Sequence, residues 1–274
     1  STLCRDPGFR FRTGQGASNL LRWLPESASS YAGHIDSIFY LIYYIVGAWF
    51  ILVFGVLLYF LIRYRRQEGR RAAYVPGNTW KQAAWILIPA AVVLVMDLWI
   101  DFRGAEVWEE VKGAQPRAEV LVRLNAKQFN WNFVYPGGDG KFDTQDDVKI
   151  ENELHVPVGK VVQVTIGSED VIHSFFIPVF RLKQDILPGR QIPTWFKATK
   201  PGKYVIPCAE LCGFGHSGMS GWVFVHTAES YEKWKKEKFQ SARGNSGSEE
   251  AQPAKFASRP VAVLKKLVQR KGEK

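Results

Sequence analysis

Sulfur is scarce in this chain of 274 residues, which has three cysteines and two methionines. No Cys-x-x-Cys-His occurs anywhere, and that excludes a covalently attached c-type haem. No segment repeats at a fixed period, so nothing suggests a repeat architecture. Charge is missing from residues 37–62, a run of 26 positions. A bilayer is crossed by about 20 apolar residues, so this run is long enough to span one. Acidic side chains are nearly absent from residues 63–81, where six Lys and Arg stand against Glu68 alone.

A second uncharged run, Gln82–Met96, lasts 15 residues and continues past Asp97 through Leu98, Trp99 and Ile100. Following a clear span and bordered by Trp80, Trp85 and Trp99 as interfacial aromatics, it reads as the second half of a transmembrane hairpin. Pro89 is tolerable there, because neighbours in a lipid-buried bundle satisfy the freed carbonyl. The basic loop between the runs predicts a cytoplasmic hairpin tip, with both termini and everything after residue 103 on the outer side. Residues 37–62 are too long for a signal-peptide core and lack a small-residue cleavage site, so any signal sequence would precede Ser1. Asp97, near the outer end of its span, reads as a contact with water or a partner subunit ahead of a proton relay. Cys4 follows Ser-Thr-Leu, which lacks the small residue expected before a lipidated cysteine, and it has no assigned role.

The formal charge of +10 is unevenly placed. The loop 63–81 carries +5 and the tail 231–274 carries +7, while residues 82–230 carry −3. The central portion is therefore mildly acidic, and nucleic-acid binding is not indicated. After Pro116 the pattern changes to short period-two runs: Glu119–Leu124, Gln128–Tyr135, Glu153–Val156, Lys160–Ile166, His173–Ile177, Ile192–Ala198, Lys203–Ile206 and Gly221–His226. Pro157-Val-Gly159, Pro188-Gly189 and Pro201-Gly202 punctuate them. Short strands at such spacing predict a β-sandwich or barrel. Four parts follow: an outer-side arm 1–33, a helical hairpin 34–103, an all-β domain 104–230, and a C-terminal helix with a flexible basic tail 231–274. The first helix of that tail is expected over Ala228–Phe239, and a short amphipathic one over Val261–Arg270.

Two of the three cysteines and one of the two methionines fall within Cys208-Ala-Glu-Leu-Cys212-Gly-Phe-Gly-His216-Ser-Gly-Met219. Soft sulfur with imidazole and a weak methionine suits copper in electron transfer. A second imidazole is needed, and His173 in Val-Ile-His-Ser-Phe-Phe is best placed, 35 residues before Cys208. Two thiolates can bridge two metals, so Cys208 and Cys212 would form a two-copper, two-sulfur core. His173 and His216 would then cap one copper each, with Met219 and the Glu210 carbonyl as weak ligands. Two plainer readings of the same residues stay open, a disulfide on an oxidising face and a structural Cys₂His₂ zinc site. His34, His155 and His226 read as ordinary surface or packing histidines.

With these residues in view, the chain resembles subunit II of the haem-copper oxidases of cytochrome c oxidase type over about residues 30–230. The ligand run carries the resemblance, together with Trp85-Ile-Leu-Ile-Pro89-Ala and Leu182-Lys-Gln-Asp185-Ile-Leu-Pro188-Gly-Arg190. The resemblance implies a cupredoxin-like Greek-key sandwich behind a two-helix anchor. It implies that His173, Cys208, Cys212, His216, Met219 and the Glu210 carbonyl hold the two copper ions of a copper A centre. The Glu210 carboxylate would help hold magnesium where the chain meets subunit I. Electrons would come from cytochrome c or another c-type haem partner and pass to haem in subunit I, which also carries copper B. Oxygen would be reduced there and protons pumped. Subunit III, a larger respiratory supercomplex and the bilayer are the further partners implied, and the bacterial cytoplasmic (inner) membrane is the implied location, with the copper domain periplasmic.

Three departures stand out. Phe129 occupies the place of the tryptophan that usually receives the electron, so Phe129 and Trp131 become the contacts to examine for electron intake. Gln82 replaces a glutamate near a proton path and cannot take up a proton. The absence of a fused haem requires a separate donor. Elsewhere, Asp139, Asp143, Asp146 and Asp147 could offer oxygens to calcium, although they do not fit EF-hand spacing, and a solvated acidic hairpin tip is the simpler reading. The rivals to an oxidase role are a copper A subunit of a nitric oxide reductase and a membrane-tethered copper carrier.

Overall fold

A computed structural model of the protein describes residues 24–245. Cys4, most of the expected arm, and the tail beyond residue 245 with its expected helix Val261–Arg270 lie outside the described residues. The chain divides into two compact units, one of Leu24–Arg117 with Val179–Arg181 and one that includes Ala118–Pro178 and the residues from Leu182 onward.

The first unit is a helical hairpin, α1 (Ala32–Arg63) and α2 (Trp80–Trp108). At about 1.5 Å per residue, both exceed a hydrocarbon core of roughly 30 Å, and both are apolar enough to cross a membrane. Thr79 caps α2 by accepting from the Gln82 amide at 3.4 Å. Pro89 sits inside α2 as expected. No side chain of α2 is buried, so its apolar faces are left for lipid or other protein. The helix runs past residue 103, where the hairpin was expected to end, and loosens into a π-helical turn over Glu109–Gly113. His34, near the start of α1, meets Glu110 of that turn at 2.6 Å. In the same unit Arg181 donates to both oxygens of Asp36, at 2.6 and 2.9 Å.

The second unit is a β-sandwich closed by a helix. Its strands are β1 (Val120–Lys127), β2 (Asn130–Tyr135), β3 (Val148–Glu151), β4 (Glu153–Pro157), β5 (Val161–Ser168), β6 (His173–Ile177), β7 (Leu182–Ile186), β8 (Ile192–Lys197), β9 (Gly202–Pro207) and β10 (Ser220–His226). One sheet has the order β3-β2-β1-β5-β8 and the other β4-β10-β9, while β6 and β7 form a ribbon. A bridge from Phe175 to Cys208 links β6 to the chain just after β9. The pairs β1–β5 and β10–β4 are parallel and the rest antiparallel, so the chain crosses between layers as a Greek key does. The alternation read from sequence places Leu124, Phe133, Val164, Ile166 and Val223 in the core. Trp131 and Phe133 of one sheet meet Phe175 edge-on at 6.0 and 6.3 Å. The Trp131 indole donates across the core to the Ile206 carbonyl at 3.1 Å.

The eight expected strands are present with ends shifted by a few residues, and β3 and β7 are additional. The final helix, α3 (Ala228–Asn245), is longer than expected and buries Tyr231 and Trp234.

Candidate metal centre

β6 and the loop from β9 to β10 bring the sulfur and imidazole groups together. His173 opens β6 and is fully buried. Cys208 follows β9, and its amide donates to the Met219 carbonyl at 3.0 Å, which closes residues 208–219 into a loop. Gly213 sits at a φ of +134°, which disfavours any side chain there. At Gly215 a Cβ would come within 2.6 Å of the Phe129 ring. These glycines let the loop fold tightly against the start of β2.

The donor atoms form a chain. His173 Nδ1 lies 3.9 Å from Cys208 Sγ, which lies 3.9 Å from Cys212 Sγ, which lies 3.6 Å from His216 Nδ1. Met219 Sδ is 3.6 Å from Cys212 Sγ, and the Glu210 carbonyl is 3.3 Å from Cys208 Sγ. Both cysteines are free thiols, so the disulfide reading is not met. The donor atoms of His173, Cys208 and Cys212 all lie within 4.8 Å of one another. His216 is not part of that trio and attaches at the Cys212 end. A single tetrahedral ion needs all its ligands around one point. Here each thiol has its own imidazole and its own weak donor, which fits two soft metal positions sharing two sulfurs. Burial and the neighbouring Cys208 thiol raise the Cys212 thiol above its ordinary pKa.

The residues around this cluster escaped the sequence reading. His173 Nε2 donates to Asp170 Oδ1 at 2.8 Å, which leaves its Nδ1 lone pair facing Cys208. Burial raises the Asp170 carboxyl, but hydrogen bonds from the Gln128 amide, the His173 ring and the Val171 amide outweigh it and hold its pKa below the ordinary value. The Gln128 side chain donates to the Cys212 carbonyl at 2.6 Å. The one available signal was Asp170, three residues before His173, where a turn can fold a carboxylate back onto the ring.

The other expected residues fall out differently. Phe129 is 39% exposed beside the ligand loop, while Trp131 is fully buried and meets the His173 ring edge-on at 6.2 Å. Trp131 is therefore a core residue and does not reach a docking partner. Glu210 is exposed, as are Leu211 and Phe214. The acidic carboxylates turn inward on their own loop: Asp139 accepts from the Lys141 amide, Asp146 from the Gly138 amide, and Asp147 from the Asp143 amide, at 2.9, 2.7 and 2.8 Å. Asp143 also takes Arg123 at 2.6 Å. Among the described residues, His173, Cys208 and Cys212 alone group as metal donors, and the four aspartates form no such group. His155 is a packing residue, stacked between Phe224 and Trp234 at 4.7 and 4.5 Å. Asp97 borders an apolar groove between α1 and α2, with Trp49, Phe50 and Met96.

The chain is similar to known proteins of one family. The family model for the periplasmic domain of cytochrome c oxidase subunit II matches residues 124–225, and that for its transmembrane domain matches residues 17–99. Cytochrome c oxidase subunit 2 of Thermostichus vulcanus is 32% identical over 269 residues, covering 78% of each chain. The alternative cytochrome c oxidase subunit 2 of Bradyrhizobium diazoefficiens is also 32% identical, over 86% of this chain and 91% of that one. The periplasmic domain of subunit II of the cytochrome oxidase of Bradyrhizobium japonicum superposes with a TM-score of 0.41 at 30% identity, covering 46% of this chain and 97% of that domain.

Proposed function

Because the chain belongs to the cytochrome c oxidase subunit II family, we propose that it is the subunit through which electrons reach a terminal respiratory oxidase. The observation that carries this reading is the donor chain His173, Cys208, Cys212, His216, with 3.9, 3.9 and 3.6 Å between neighbouring donor atoms. These residues, with Met219 and the Glu210 carbonyl, would hold a copper pair as a copper A centre. Bound there, the pair would supply one-electron exchange, with the charge spread over both metals and bond-length changes kept small.

The chain's own residues set the conditions for that exchange. Burial of His173, Met219 and both cysteines excludes water from the sulfur side. Hydrogen bonds from the Cys208 amide and the Gln128 side chain hold the ligand loop in shape before metal arrives. Phe129 beside the loop, 39% exposed, and fully exposed Phe214 on the loop offer a separate c-type donor an apolar contact. The Glu210 carboxylate is free to share a magnesium ion with subunit I, where haem and copper B would reduce oxygen and drive proton pumping. Subunit III and a larger respiratory supercomplex are the further partners of this reading. We place the chain in the bacterial cytoplasmic membrane, the basic loop 63–81 inside and the copper domain in the periplasm.

Copper analysis of the purified full chain tests the proposal. Two coppers per chain are expected, and Cys212→Ser should lose the paired centre. One copper per chain, or a paired centre that survives Cys212→Ser, would refute it.

A further inference from the structure

The two imidazoles of the centre are built differently. His173 is fully buried, and its Nε2 donates to the Asp170 carboxylate at 2.8 Å. That carboxylate is held in place from its other sides. The Gln128 amide donates to Oδ2 at 2.7 Å and the Val171 amide to Oδ1 at 2.6 Å. Ser168 Oγ adds a longer contact at 3.4 Å. The His216 ring is half-buried, and apart from Cys212 Sγ no hydrogen-bond partner reaches it among the described residues. One ligand histidine thus has a fixed anionic partner, and the other has none among the described residues.

We propose that Asp170 is a positioning residue that makes the two histidine ligands unequal, biasing the shared electron toward the His216 side of the pair. The inference rests on the copper reading above. A carboxylate accepting from the far nitrogen of a ligand imidazole fixes its tautomer and raises its basicity toward the metal. The metal position next to His173 is then better stabilised when oxidised, and the position next to His216 when reduced. Asp170 touches no metal in this arrangement and acts only through the His173 ring. Gln128 couples this device to the ligand loop, because its backbone holds Asp170 while its side chain holds the Cys212 carbonyl at 2.6 Å. Phe129 follows directly, with its ring against Gly213 and Gly215. One turn before β2 therefore supports the carboxylate, the loop and the apolar surface together.

The test uses the full chain loaded with copper, comparing wild type, Asp170→Asn and Asp170→Glu. Two quantities are read: the nitrogen couplings of the two imidazoles by electron–nuclear double resonance, and the midpoint potential of the centre. The expected result is unequal couplings in wild type that draw together in Asp170→Asn, with a shift of the potential to a higher value. Asp170→Glu, which keeps an anionic acceptor, should stay near wild type. Unchanged couplings and potential in an Asp170→Asn chain that retains two coppers would overturn the proposal. If Asp170→Asn retains no copper, the glutamate variant decides. Retention with a wild-type potential supports the carboxylate's role, and loss in both variants shows that Asp170 only shapes the turn. A wild-type chain that binds no copper pair sinks the copper reading and this inference with it.

Discussion

Replacing Trp131 with alanine removes the largest fully buried side chain of the sandwich, together with its hydrogen bond to Ile206. The expected cost is about 3–5 kcal/mol, read as a lower denaturant midpoint for the domain. A cost near zero would show that Trp131 is not in the core. Its neighbour two positions back behaves differently because β2 begins at Asn130, so Phe129 sits in the turn and escapes the strand's alternation. Sequence periodicity ran the strand back to Gln128 and gave both aromatics the same role. The ligand set was legible because sulfur is rare and four of its side chains fall within twelve residues. His173 was legible from its apolar strand. Asp170 and Gln128 were not, since polar residues in turns are common and the contacts that matter span 42 and 84 positions.

Among the elements, α3 is seated over a pair of histidines, buried His155 and half-buried His226. His155 Nδ1 meets His226 Nε2 at 2.8 Å, Glu153 approaches the other His155 nitrogen at 3.4 Å, and Ser230 of α3 meets His226 Nδ1 at 3.0 Å. Burial, with help from His226 and Lys238, lowers the His155 pKa from 6.5 to about 3. A histidine whose folded pKa is depressed is protonated first in the unfolded chain. Its contribution is complete above about 6.5 and is lost as pH falls toward about 3. Thermal melts across that range should show stability falling by up to about 1.4 kcal/mol per pH unit, and His155→Phe should flatten the slope. Equal slopes in both proteins would count against a neutral, buried His155. Strands with apolar alternation were readable, but β3 (Val-Lys-Ile-Glu) is too short to show a period, and β7 (Leu-Lys-Gln-Asp-Ile) hides three polar residues between its buried ends. α3 outran its expected end because no proline or strong breaker follows Phe239 before Gly244.

For the molecule as a whole, the division into an apolar hairpin and a β-sandwich was readable from uncharged runs followed by period-two runs. Charge predicts which side of the membrane each part faces. A membrane-impermeant thiol reagent applied to intact cells, with labelling followed at the introduced position, should modify Lys149→Cys and leave Gln67→Cys untouched. The reverse pattern would place the basic loop outside and refute the orientation. What composition did not convey was the pairing of each thiol with its own imidazole, because that depends on how β6 meets the loop after β9. The most direct test of the central claim is electron paramagnetic resonance of the copper-loaded full chain. The expected spectrum is that of one unpaired electron coupled to two coppers. A spectrum from a single copper, with all donors intact, would contradict it.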